Sequence, residues 1–305
     1  MDTSAQIAGI RLQNAILNAA GTCKTLVGKE GLEYFCQSEA GAIMVGSATY
    51  EPRSGNSGNT YYTGDGYSLN AIGLTNPGMD AYVKMLPDML SICQDANKPL
   101  FFSVAGFSPE EYASMVYRAL QCGVLLVELN LGCPNVYQAK KQKRIASFDL
   151  LIIQAILAKV RDKVGDDAPI AVKLSPYSDP RLLETVTELI VQYKMVKALT
   201  LCNTFPNGFA FNENNEQSIS HLAGLAGMGG KSLKPISLGQ IIQVKELAEA
   251  HGLQIMGVGG VSSGQDMEDY LRAGAACVQV ATACIERGPK VFVDIMSEYV
   301  DTSNA

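Results

Sequence analysis

Eight short apolar runs, each followed by a polar or helical stretch, constrain this chain more than any other feature. They are Ile16–Ala20, Ala42–Val45, Leu100–Val104, Leu125–Leu129, Ile170–Leu174, Ala198–Leu201, Gln254–Val258 and Val278–Thr282. Each is almost continuously apolar, as strands must be when both faces of a parallel sheet are covered. Amphipathic stretches lie between them, at Ser108–Gln121, Phe148–Val164, Arg181–Tyr193, Leu238–Ala250 and Gly264–Ala273. Parallel neighbours need long crossovers, and a helix supplies them most simply. Strand and helix alternating eight times predicts an α/β fold, a (β/α)8 barrel. A doubly wound open sheet would use the same alternation and is the rival architecture. Residues 1–305 are read as one barrel domain, because barrels exceed about 250 residues without dividing.

Two intervals between strands are long and rich in Gly, Asn, Ser and Tyr: Ser47 to Pro99, containing GNSGNTYYTGDGYSLN, and Asn203 to Lys231. Long connections inside a compact fold usually serve function. Both follow a strand, so in a barrel they rise over its C-terminal face, where active sites form. The opening segment Gln6–Leu12 alternates weakly and suits a small hairpin closing the barrel bottom.

Composition narrows the function classes. A net charge of −6 argues against a nucleic-acid binder, which would present a basic face. No apolar run approaches the length of a membrane span, and the N-terminus carries no secretory pattern, so a soluble cytoplasmic protein is expected. The eight cysteines include no CxxC pair, which speaks against zinc, an iron–sulfur cluster or any other metal. A disulfide framework is equally unexpected.

The strand ends, taken in order, give a polar set. Ala20 and Gly21 end the first strand and Ser47 the second, and Asn130 follows the fourth, with Cys133 and Asn135 just beyond. Lys173 lies on the fifth, Asn203 and Thr204 end the sixth, Gly259 and Gly260 follow the seventh, and Ala281 and Thr282 close the eighth. The last two strand ends are where barrels hold a phosphate on backbone N–H groups, and Ser262 and Ser263 strengthen that reading. A lysine inside an apolar strand (IAVKL) needs a charge or a ligand to face. Asn70, Asn130, Asn135 and Asn203 are ordinary turn residues singly. Together they form an array of amide donors and acceptors suited to a planar, pyrimidine-like ligand. Cys133 is a candidate acid or base. The two histidines, His221 and His251, fall far from it, so proton abstraction beside a redox cofactor fits better than a Cys–His nucleophile.

A series of motifs then aligns with one family. NAAG near residue 18, GSATYEPRSGN at 46–56, LNAIGLTNPG at 69–78 and ELNLGCPNV at 128–136 lead into VKLSPY at 172–177, NTFPNG at 203–208, GLAGMGGKSLKP at 224–234 and GVGGVSSGQD at 257–266. In order and spacing the chain resembles the soluble, fumarate-using branch of the dihydroorotate dehydrogenases. The resemblance implies an aldolase-type barrel, non-covalent FMN and a homodimer. It implies that Cys133 removes the C5 proton of dihydroorotate while the C6 hydrogen leaves as hydride. Asn70, Asn130, Asn135, Asn203 and Thr204 match positions that bind the substrate. Ala20, Gly21, Ser47, Asn130, Lys173, Gly227, Gly259, Gly260, Ala281 and Thr282 match the FMN shell.

Four departures accompany it. The family carries Lys-Ser after its second strand, where this chain has Gly46-Ser47. Gly132 replaces a serine, and Ala281 a glycine. The segment after the cysteine, NVYQAKKQKR, is longer and more basic than the usual Gly-Pro turn. Losing a cation near an anionic substrate should weaken binding and slow the reaction. Lys24, or a lysine from Ala139–Arg144, is a candidate replacement, with a solvated loop as the plainer reading of that stretch. Gly46 keeps open a related FMN oxidoreductase acting on another pyrimidine-like or conjugated substrate. A flavin binder without turnover, or a phosphosugar isomerase or aldolase on the same barrel, are the readings from other classes.

Overall fold

A computed structural model of the chain describes residues 2–22, 29–135, 137–138, 141–221 and 223–303. Eight parallel strands form one sheet: β1 Ile16–Asn18, β2 Ile43–Ala48, β3 Leu100–Val104, β4 Leu126–Asn130, β5 Ile170–Lys173, β6 Val196–Leu201, β7 Gln254–Val258 and β8 Cys277–Val280. Their order is β1-β8-β7-β6-β5-β4-β3-β2. The ends of that row meet. Leu17 bridges Ala42 in parallel, and the Gly41 N–H donates to the Ile16 carbonyl at 2.7 Å. Asn18 extends the seam with its side chain: Oδ1 accepts from the Met44 N–H at 2.9 Å and Nδ2 donates to the Met44 carbonyl at 2.8 Å. A buried amide thus continues the ladder where β1 is too short to do so. The open-sheet alternative is set aside by this closure.

The crossovers begin where the sequence supplies caps. Helix α3, Pro109–Gln121, starts with Ser108 Oγ accepting from the Glu111 N–H and with Pro109 in its first turn. Asp149 and Asp179 cap α4, Leu150–Val164, and α5, Pro180–Ile190, in the same way. Such a cap contributes about 1 kcal/mol, because it satisfies an amide the helix cannot. Helices α6, Lys234–Ala250, and α7, Gly264–Ala273, follow β6 and β7.

All eight expected strands form, with ends shifted by up to three residues. Two helices fall where loops were expected or nothing was assigned: α1, Lys29–Cys36, and α2, Met79–Asp95. The latter occupies the end of the first long interval. It buries Met79, Tyr82, Leu86, Met89 and Cys93, a three-and-four spacing interrupted in sequence by Pro87. Past β8, α8, Thr282–Arg287, and α9, Lys290–Ser303, complete the chain.

The long intervals are also more ordered than loops. Tyr61–Gly64, Tyr67–Asn70, Phe205–Gly208 and Ala226–Gly229 make one antiparallel sheet, with Asn70 paired to both Tyr61 and Gly227. Leu69, Ala71, Ile219 and Ala226 form its own small buried cluster. At the opposite end, Ala5–Ile7 and Ile10–Leu12 form the expected hairpin. Gln254, the first residue of β7, ties it down: Oε1 accepts from the Ala8 N–H and Nε2 donates to the Gln6 carbonyl.

Candidate active site

A cavity of about 390 Å³ opens where the C-terminal ends of the barrel strands meet the antiparallel cover. Volumes of this order suit a small-molecule or cofactor site. Its walls collect Ala20, Gly21, Ser47, Asn70, Asn130, Cys133, Asn135, Lys173, Asn203, Thr204, Gly259, Gly260, Ala281 and Thr282. Gly227 is the one expected site residue that stands behind the wall. A Cβ there would meet Thr204 Oγ1 at 2.2 Å, and its amide and carbonyl serve Asn135 and Asn70 instead. Gly229 and Gly230 face the cavity in that region.

The asparagines form two chains. In one, Asn203 Nδ2 donates to Asn130 Oδ1 at 2.9 Å, and Asn130 Nδ2 donates to Ser47 Oγ at 2.9 Å. In the other, Asn135 Nδ2 donates to Asn70 Oδ1 at 2.8 Å, while Asn135 Oδ1 accepts from the Gly227 N–H at 3.1 Å. The second chain ties the cysteine loop to both halves of the cover. Asn135 is therefore committed at both ends of its amide, and it orients Asn70 as much as it faces the cavity.

Beneath the cavity lies a polar network that the strand reading passed over. Glu128 on β4 is fully buried. Its carboxylate accepts from Thr200 Oγ1 at 2.8 Å, Ser103 Oγ at 3.1 Å and Gln279 Nε2 at 3.2 Å. Gln279 also accepts from Lys173 Nζ at 3.4 Å, and Ser103 Oγ lies 2.8 Å from Ser47 Oγ. A buried anion and a buried cation are thus joined by one amide that donates to the first and accepts from the second. This arrangement answers the need for a counter-charge that a lysine inside IAVKL raised. Glu128 in VELN and Gln279 in CVQV break apolar runs in the same way, so that argument applied to them would have found the network.

The corner made by Gly259 and Gly260 has φ of +140° and +71°. A Cβ on Gly260 would sit 2.8 Å from the Gly230 carbonyl oxygen, so backbone alone can line this corner. Ser68 Oγ and Thr282 Oγ1 meet at 2.8 Å beside it. Ser262 and Ser263 do not join them. Ser263 caps α7, and Ser262 bonds through N and Oγ to Asp266 Oδ2, so both are structural.

Cys133 is partly exposed on the wall. Desolvation pushes its thiol up; the Asn135 backbone amide, Arg53, Lys143 and Lys173 act against that shift. Arg53 also lines the main cavity, with Nε donating to the Gly73 carbonyl at 3.1 Å. The sequence holds no local signal for Arg53 beyond its place in EPRSGN. His221 and His251 are absent from the cavity wall.

With this geometry in hand, the comparisons are unambiguous. The profile described as dihydroorotate dehydrogenase matches residues 3–302. The chain belongs to the dihydroorotate dehydrogenase family. It is 35% identical over 294 residues to a dihydroorotate dehydrogenase (fumarate) of Trypanosoma cruzi, covering 94% of this chain and 89% of that protein. A putative dihydroorotate dehydrogenase A (fumarate) of Streptococcus equi is 32% identical, covering 99% and 93%. The crystal structure of the Eimeria tenella dihydroorotate dehydrogenase in complex with ferulenol shares the fold, with a TM-score of 0.81 at 19% identity over 99% of this chain and 85% of that one. Among the described residues no helix is long and apolar enough to cross a membrane.

The departures from the family pattern have local causes. Gly46 has φ +106°, and a Cβ there would lie 2.3 Å from the Ser103 carbonyl oxygen. A lysine cannot stand at this position with the backbone as it is. Gly132 is crowded in the same manner, its Cβ direction ending 2.8 Å from the Ser175 nitrogen. Of the candidate replacement cations, Lys24 lies outside the described residues. In the basic segment Gln142 is exposed, and Arg144 points outward, its Nη1 2.8 Å from Asp149 Oδ2 with 71% of its side chain exposed. Gln142 Nε2 donates to the Pro134 carbonyl of the cysteine loop, and the Lys143 Nζ donates to the Gly106 carbonyl at 3.2 Å and lies 4.3 Å from the Phe107 ring centre.

Proposed function

We propose that this chain is an FMN-dependent dihydroorotate dehydrogenase that converts dihydroorotate to orotate and passes the electrons to a soluble acceptor such as fumarate. The observation that carries the reading is the joining of a thiol, an asparagine array and a buried lysine on one cavity wall in a member of this family. The names of the fumarate-type relatives support the acceptor.

In this reading Ala20, Gly21, Ser47, Lys173, Gly259, Gly260, Ala281 and Thr282 hold FMN, and the glycine corner suits its phosphate because backbone amides can approach closely there. Bound FMN supplies the hydride acceptor. Asn70, Asn130, Asn203 and Thr204 bind the pyrimidine ring through amide and hydroxyl groups, with Asn135 fixing Asn70. Cys133, as thiolate, takes the C5 proton: the C5–H bond breaks, an S–H bond forms, and the freed pair becomes the C5–C6 double bond as the C6 hydrogen departs. Lys173 stabilises negative charge that develops at the ring system, and Glu128 balances Lys173 through Gln279. The proposal includes a cytoplasmic homodimer, which sedimentation of the purified protein checks.

The test is an anaerobic titration of the purified protein with dihydroorotate, following the flavin absorbance band. Bleaching at stoichiometric substrate is the expected result. A yellow protein that dihydroorotate does not bleach, but another dihydropyrimidine or an enone turns over, would overturn the substrate assignment.

A further inference from the structure

The thiol of Cys133 faces more than the main cavity. It also borders a side cavity of about 30 Å³, shared with Gly106, Phe107, Tyr112, Asn130 and Lys143. Two cations stand over the Phe107 ring, with the Arg53 guanidinium carbon 5.0 Å from its centre and Lys143 Nζ 4.3 Å from it. An ammonium over a ring face is attracted by the ring quadrupole, and the Gly106 carbonyl adds a hydrogen bond. The direct contacts that hold Lys143 in place are thus a carbonyl and a ring face.

We propose that Lys143 is a positioning residue of the reaction: from the basic segment that follows the cysteine, it stabilises the thiolate of Cys133. The inference rests on Cys133 being the base. Among the described residues, several charged or titratable groups enter the balance, including Arg144, which borders the side cavity but pairs outward with Asp149. Arg53 and Lys173 add positive charge from the two sides of the main cavity. Tyr112, from α3, is a neutral phenol whose Oη donates to the Asn130 carbonyl at 2.8 Å. Glu111, also on α3, accepts from the Phe107 N–H at 2.7 Å and offsets part of the Lys143 charge. Burial and the Arg53 charge draw the Lys143 ammonium down from its ordinary range, while Glu111 and Cys133 hold it up. The sign follows directly: removing the lysine favours the neutral thiol, and the Cys133 ionisation moves to higher pH.

The experiment measures alkylation of the flavin-loaded protein by iodoacetamide as a function of pH, reading the peptide that carries Cys133 by mass spectrometry. Lys143→Met keeps the stem over Phe107 and removes the charge; its midpoint should rise by about one pH unit. Lys143→Arg should restore the midpoint of the unsubstituted protein. Glu111→Gln retains an acceptor for the Phe107 N–H and should shift the midpoint downward, a test that survives should Lys143→Met fold poorly. Unchanged midpoints in Lys143→Met, or a downward shift there, would overturn the inference, as would an upward shift in Glu111→Gln. The pH profile of flavin bleaching by dihydroorotate is read in parallel. If alkylation shifts and bleaching does not follow, Lys143 does stabilise the thiolate and it is the assignment of Cys133 as base that fails.

Discussion

Position 46 gives the sharpest test of the geometry, because family pattern and local structure demand opposite outcomes there. By pattern, Gly46→Lys should restore a missing cation and tighten orotate binding. By structure it should damage the barrel. A side chain at φ +106° enters a region that L-residues rarely adopt, at roughly 1–3 kcal/mol. The new Cβ would also start 2.3 Å from the Ser103 carbonyl oxygen, a backbone atom of the neighbouring strand that cannot rotate away. Forcing β2 from β3 by about an ångström is overpacking, worth a further ~1–3 kcal/mol. The sum, about 4 kcal/mol, is a large part of a typical stability and should lower Tm by roughly 10 °C. Gly46→Ala separates the causes, since it adds the Cβ without charge and should lose nearly as much. Thermal melts followed by circular dichroism, with flavin fluorescence reporting release, are the assay. If Gly46→Ala melts with the unsubstituted protein, or Gly46→Lys is stable and binds orotate more tightly, the steric argument is wrong.

Other residues give independent checks. Cys133→Ala should slow flavin reduction by dihydroorotate by about 100-fold or more while FMN stays bound; rapid single-turnover bleaching in the variant would remove Cys133 from the mechanism. Glu128→Leu leaves Thr200, Ser103 and Gln279 donors buried without their acceptor and Lys173 without its balancing charge, so a loss of about 3 kcal/mol or more is expected in urea unfolding, together with weaker flavin retention. Asn135→Ala cuts the link between the cysteine loop and the cover, and should raise the KM for dihydroorotate more than it lowers Tm; steady-state kinetics beside a melt separate the two.

The barrel was legible because eight buried strands leave eight apolar runs, and nothing else in the chain imitates them. Helix α2 was not, because Pro87 interrupts its spacing and a Gly-rich stretch precedes it, although Met79, Tyr82, Leu86, Met89 and Cys93 keep one face. The site could be read where a polar residue ends a strand: Lys173, Asn130 and Cys133 announce themselves. Gly227 lies against Thr204, and a glycine looks the same in sequence whether its missing side chain leaves room for a ligand or for a neighbouring residue. Arg53 and the inward turn of Lys143 depend on Phe107, a residue distant from both in sequence. No local pattern signals that pairing.

The antiparallel cover has a consequence for how the molecule is assembled. Its inner seam joins Asn70 to Gly227, groups 157 positions apart. The hairpin that contributes Tyr61, Tyr62 and Tyr67 therefore leaves the ribosome long before the strand that will pair with it. Until Ala226–Gly229 is in place, that hairpin presents an open edge and its aromatic rings to solvent, the state in which strands associate wrongly. Pairings of such separation form late, after nearer contacts have brought the ends together. The mouth of the cavity thus waits long for its hydrogen bonds, and that wait is a step at which synthesis is exposed to error.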